Sequence, residues 1–126
     1  MVTPVTTDGA FDSENPFSQG MIHGDVVYTA GQVPKHPETR EIVGEDIVAQ
    51  TDRTFENLQA ILEAADTSFE NVLKATVFLT DMDDYEAFNE TYRSWMPEPR
   101  PARTTVEVSR LAVDVRIEIE MVAAIP

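Results

Sequence analysis

Pro101-Ala102-Arg103-Thr104-Thr105-Val106-Glu107-Val108 and, after a short turn, Val115-Arg116-Ile117-Glu118-Ile119-Glu120-Met121 are the segments whose reading decides the fold. In both, residue character alternates with a period of two, the mark of a strand that buries one face. Ala102, Thr104, Val106 and Val108 share one side of the first segment, and Arg103, Thr105, Glu107 and Ser109 share the other. In the second, Val115, Ile117, Ile119 and Met121 alternate against Arg116, Glu118 and Glu120. If the two form a hairpin, apolar must face apolar, because a one-residue slip turns every side chain over. That register pairs Val108 with Val113, Val106 with Val115 and Thr104 with Ile117, and it sets Arg103 opposite Glu118 on the non-core face.

Working outward, Val72 to Thr80 is a largely apolar run, as expected of a buried central strand. Ahead of it, from Asp46 to Ala65, the period lengthens. Val48, Phe55, Leu58, Ile61, Leu62 and Ala65 recur at three- and four-residue spacing, which predicts an amphipathic helix. After the strand, Asp81, Asp83 and Asp84 supply helix-start signals, Tyr85, Phe88, Tyr92 and Trp95 follow at helical spacing, and Pro97 stops the run. Plain core packing accounts for that aromatic stripe. Val26 to Ala30 reads as a strand ended by Gly31, and Pro34 to Glu45 as a loop with a short strand at Glu41-Ile42-Val43. The first sixteen residues are turn-rich and read as irregular. The expected architecture is α+β: residues 1–126 as a single domain, with one mostly antiparallel sheet and two helices on one face. The other face carries charge together with Val122 and Ala124, so it meets either water or another subunit.

Composition excludes several functions. There is no cysteine, hence no disulfide, thiolate metal site or cysteine nucleophile. No apolar run approaches the ~20 residues that span a bilayer. The N-terminal stretch lacks the basic-then-apolar pattern of a signal peptide, so a cytoplasmic location is expected. The chain carries 23 acids against 9 bases, a net charge of −14, and its only lysines are Lys35 and Lys74. Such a balance is a poor match for nucleic acid or an anionic membrane surface, whose binding relies on Lys and Arg. The acids are spread along the chain and read either as an ordinary solvated surface or as adaptation to high salt, where self-repulsion is screened.

Five stretches taken together resemble the RidA/YjgF family, in order and spacing, along nearly the whole chain. They are Asn15-Pro16-Phe17-Ser18-Gln19-Gly20, Val27 to Pro34, Asn71 to Leu79, Pro101 to Val108, and Ile117-Glu118-Ile119-Glu120. The resemblance implies a chorismate-mutase-like homotrimer with clefts between subunits. It also implies deamination of enamines and imines of the 2-aminoacrylate and 2-iminopropionate type, giving 2-keto acids and ammonia. Arg103 matches the family's substrate-binding arginine, since a guanidinium can grip a carboxylate through two parallel hydrogen bonds; otherwise it reads as a structural salt bridge. Glu118 matches the glutamate that activates the attacking water, or else it is one more strand glutamate. Gly31 matches a position of close backbone approach to the ligand, and Asn89 an asparagine of the second helix that reads equally as a surface residue. Three positions depart from the pattern: Phe17 stands for the common Tyr, Ala30 for Ser and Thr105 for Cys. Two hydroxyls and a thiol are thereby lost, and ordinary substrate preference is put in doubt.

His23 and His36 lie apart in polar loops without metal-ligand spacing, and Asp83 and Asp84 suit a helix start, so neither a metal nor a cofactor is expected. Three readings stay open on the sequence. One is an imine deaminase acting on a small carboxylate-bearing substrate. The second is a non-catalytic trimer that binds small carboxylates or regulates a partner. An endoribonuclease is the third, and the acidic surface opposes it.

Overall fold

A computed structural model describes residues 1–126. Six strands and two α-helices follow one another: β1 (Val2–Val5), β2 (Gly20–His23), β3 (Val26–Thr29), α1 (Ile47–Ala64), β4 (Val72–Leu79), α2 (Tyr85–Trp95), β5 (Ala102–Glu107) and β6 (Ile117–Ala124). They form one sheet in the order β1-β2-β3-β6-β4-β5. All neighbours run antiparallel except β4 and β5, which are parallel, so the sheet is mixed.

That parallel pair overturns the expected hairpin. Helix α2 carries the chain from the end of β4 back towards its start, so the next strand must run alongside β4 in the same direction. β5 therefore takes the sheet edge, and β6 inserts between β3 and β4. The central slot suits β6, because its alternate residues Ile117, Ile119, Met121 and Ala123 are all buried. Arg103 lies beside Ala75 in β4 and Glu118 beside Phe78, not opposite each other. The faces of β5 are reversed as well. Arg103 and Thr105 sit in register with the buried Ala75 and Val77, on the helix side, while Ala102, Thr104 and Val106 look onto the open face. The Arg103–Glu118 pair does not form, and the two residues lie on opposite faces of the sheet.

Helix α1 begins where the sequence places it. The Asp46 carboxylate accepts from the Ala49 amide at 2.8 Å, capping one of the free amides of the first turn. Phe55, Leu58, Ile61 and Leu62 are fully buried against the sheet. Val48 is 44% exposed, whereas its neighbour Ile47 is buried; the first turn contributes its apolar residue one position earlier than the spacing suggests. The aromatic stripe of α2 meets this core. Phe55 stacks on Trp95 at 5.4 Å between centroids and packs edge-on to Tyr92 at 5.8 Å, and the Trp95 indole donates to Asp52 at 2.9 Å.

Two strands escaped the sequence reading. β1 lies within the stretch expected to be irregular; Pro4 masks it, and a sheet edge tolerates proline because no amide is needed on the outer side. β2 is short, and it joins β3 through the Gly24-Asp25 turn, where Gly24 takes a positive φ of 59°. At Glu41-Ile42-Val43 the expected strand shrinks to one bridge between Ile42 and Lys35.

Candidate active site

The matched residues fall into two groups on opposite faces of the sheet. The first gathers around Arg103, which reaches from edge strand β5 under α2. Its guanidinium donates to the Tyr85 hydroxyl at 3.0 Å and lies 4.7 Å from the Tyr92 ring centre, 5.3 Å from Phe88 and 5.7 Å from Tyr85. The residues read as plain core thus also form an aromatic wall for a cation. No carboxylate pairs with Arg103: the three ion pairs of the chain join Arg53 to Glu56, Arg100 to Glu98 and Arg116 to Asp84. Asn89, and after it the charge of Arg103, hold the Tyr85 hydroxyl below the usual phenol range. Thr105 sits two residues along β5 with its hydroxyl buried and without a partner. An open cleft of about 290 Å³ runs over this group, lined by Asn89, Tyr92, Arg93, Arg100, Pro101 and Arg103.

The second group gathers around Glu118, on the face of β6 away from the helices. Its carboxylate rests against Gly31, where any side chain would collide with it. Gly31 stands close to Glu118 because Gln32 and Ile119 exchange two backbone hydrogen bonds, at 2.8 and 3.1 Å. Burial, reinforced by the nearby charge of Glu120, pushes the Glu118 carboxyl above its usual range. A smaller cavity of about 100 Å³ adjoins it, with Phe11, Phe17, Gly31 and Glu118 in its lining. Phe17 is 54% exposed on the loop before β2. Ala30 lines neither space; its amide donates to the Gln19 carbonyl at 2.8 Å. No three His, Asp or Glu side chains converge as metal ligands would.

Arg103, Thr105 and Asn89 thus share one place, and Phe17, Gly31 and Glu118 another. Sequence reasoning missed Tyr85 and Tyr92 as neighbours of Arg103, and Arg93 and Arg100 as walls of its cleft. One signal was present: in a stripe of four aromatics the two tyrosines carry a polar tip, which seeks a partner when covered.

A six-stranded mixed sheet with two helices on one face, an arginine without a countercharge at its edge and a half-buried glutamate on the reverse define a small α+β protein with two separate polar clusters. The sequence pattern of the family described as Endoribonuclease L-PSP matches residues 7–125. The chain is 38% identical to the 2-iminobutanoate/2-iminopropanoate deaminase of Escherichia coli, over 98% of each. It is 47% identical to a RutC family protein of Pyrococcus horikoshii, over 94% of each. The crystal structure of RidA from an Antarctic Psychrobacter superposes with a TM-score of 0.94 at 38% identity, covering 98% of this chain and 99% of that one. The chain belongs to this family, the RidA/YjgF family. No helix is long and apolar enough to cross a membrane.

Proposed function

We propose that the chain is an imine deaminase that works as a homotrimer in the cytoplasm, with its active site completed between subunits. The observation that carries this reading is the division of the site. Arg103 has the geometry to grip a carboxylate but no base beside it, and Glu118 has the character of a base but no anion-binding group beside it. A second copy would bring the two together, and the open sheet face, with Tyr28 and Val106 exposed, offers it apolar surface. The type of reaction, deamination of a 2-imino acid, is the one named for the E. coli relative.

In the joined site Arg103 holds the substrate carboxylate through paired hydrogen bonds and fixes the imine carbon relative to a water. Glu118 of the adjoining subunit accepts a proton from that water as its oxygen adds to the carbon. That proton passes to the nitrogen to give a carbinolamine. As the C–N bond breaks, Glu118 carries the new hydroxyl's proton to the same nitrogen, so that the C–O bond becomes the keto carbonyl and ammonia leaves. Thr105 replaces a thiol without loss, because no covalent intermediate is involved.

The decisive experiment is complementation. Arg103→Ala and Glu118→Gln variants are each expected to be inactive in hydrolysing 2-iminopropanoate made in place by an amino-acid oxidase. Unfolded together and refolded as mixed trimers, they should recover about a quarter of wild-type activity, the share of sites that draw both intact groups from different chains. Continued inactivity of well-formed mixed trimers would overturn the shared site. A wild type without activity in either dilute buffer or concentrated KCl, but still binding 2-keto acids, would favour the alternative of a carboxylate-binding trimer. The absent hydroxyls at Phe17 and Ala30 are what favour that second reading. A net charge of −14 opposes an RNA-cleaving role.

A further inference from the structure

The cleft over Arg103 holds more positive charge than one carboxylate uses. Arg93, Arg100 and Arg103 all line it, so a third of the nine basic residues of a strongly acidic chain meet in one place. Five of the six remaining bases are occupied. Arg53 and Arg116 are in ion pairs, Arg40 donates to the Asp12 carbonyl at 2.9 Å, Lys35 lies over the Phe11 ring, and Lys74 donates to Thr104 at 2.8 Å. Arg110 alone stands outside both sets, exposed on the turn before β6. Within the cleft the pairing is sparse. Arg93 has no ion pair or side-chain hydrogen bond, and Arg103 bonds only to a tyrosine hydroxyl. Arg100 meets Glu98 at 3.1 Å, but that glutamate is 81% exposed, so solvent and salt weaken the pair.

A second, independent observation points to a ligand. Tyr92 is 5% exposed, lines the same cleft, and its hydroxyl has no hydrogen-bond partner. Burial raises its pKa, so the phenol stays neutral and keeps its proton to donate. An orphaned buried hydroxyl costs free energy that a bound acceptor recovers. One carboxylate accepts two parallel bonds from Arg103 and leaves Arg93, Arg100 and Tyr92 with donors to spare.

We propose that the cleft is a double-anion site: Arg103 takes the 2-carboxylate, and Arg93 and Arg100 take a second carboxylate on the same small molecule. The preferred substrates are then imines of dicarboxylic amino acids rather than of small apolar ones. This rests on the deaminase reading for its chemistry, though not for its binding site. Hydrolysis is balanced as for any imine: water supplies the keto oxygen, ammonia leaves, and the second carboxylate takes no part.

Binding of two 2-keto acids that differ only at the far end, 2-oxoglutarate and 2-oxopentanoate, is the test, measured by calorimetry on the wild-type protein. The carboxylate end should bind at least ~10-fold tighter, the equivalent of about one charge-assisted contact. In Arg93→Gln/Arg100→Gln, which changes two exposed side chains, the ratio should fall to near one. Equal affinities in the wild type overturn the proposal, as does a preference that survives the double variant. If the double variant loosens subunit association while the ratio holds, the two arginines serve a neighbouring chain and the proposal is again overturned. Dicarboxylate preference without hydrolysis of any imine defeats the deaminase reading alone, and hydrolysis of 2-iminopropanoate without that preference defeats this one alone.

Discussion

Arg103 and Glu118 are the two residues on which the proposed site depends, and their surroundings are opposite in kind. Arg103 lies against aromatic rings and a hydroxyl with no anion paired to it. Glu118 is half-buried, pressed on a glycine, with a second carboxylate rather than a cation for company. Within one chain each charge lacks its complement, although ordinary folds pair the charges they cover. The lesson is that charged groups kept on opposite faces of a sheet cannot neutralise each other, which is the condition the proposed shared site needs. Had the expected hairpin formed, a salt bridge would have taken both groups out of use.

The largest effect should come from removing the base. Glu118→Gln is expected to lower kcat by about two to four orders of magnitude, as general bases generally do. It should also raise stability at neutral pH. The folded carboxyl titrates above its ordinary value, so its favourable contribution is present at low pH and is lost as pH rises through the folded pKa. The amide never ionises and escapes that loss. Denaturant melts at acid and neutral pH check this, and destabilisation at neutral pH that disappears at acid pH would show that Glu118 is held by an interaction of its charged form.

Next in size is Arg103→Lys, which keeps the charge but loses the planar fork. A drop in kcat/KM of roughly 10- to 100-fold is expected, together with weaker 2-keto acid binding. If the lysine variant matches wild type, charge alone suffices and the aromatic wall has no orienting role.

Gly31→Ala sharpens the comparison on the Glu118 side. The added methyl must displace the carboxylate, whose far end can move, so the fold should survive while kcat falls ~10-fold or more through misplacement of the base. A thermal melt near that of wild type alongside the kinetic loss separates displacement from unfolding. Unchanged kcat would show that the carboxylate has slack.

The smallest effect is a shift in pH profile. Glu120 contributes to holding the Glu118 carboxyl above its usual range, so Glu120→Gln should move the acid limb of kcat/KM to lower pH. A limb that stays put would mean that burial alone sets it.

Local pattern made much of this legible. Helical spacing located α1 and its Asp46 cap, the apolar run gave β4, and the five matched stretches led to the family and to Arg103 and Glu118 as the residues to watch. Alternation within β5 established that Arg103 and Thr105 share one side and Val106 the other. It could not say which side meets the helices. The choice between a β5–β6 hairpin and a β4–α2–β5 crossover depends on packing between segments far apart in sequence, and the period-two signal is the same in both. The aromatic neighbours of Arg103, the glycine seat of Glu118 and the separation of the two charges therefore follow only from the tertiary structure. Periodicity fixes which residues travel together; the contacts that reward one pairing over another are made across the whole chain.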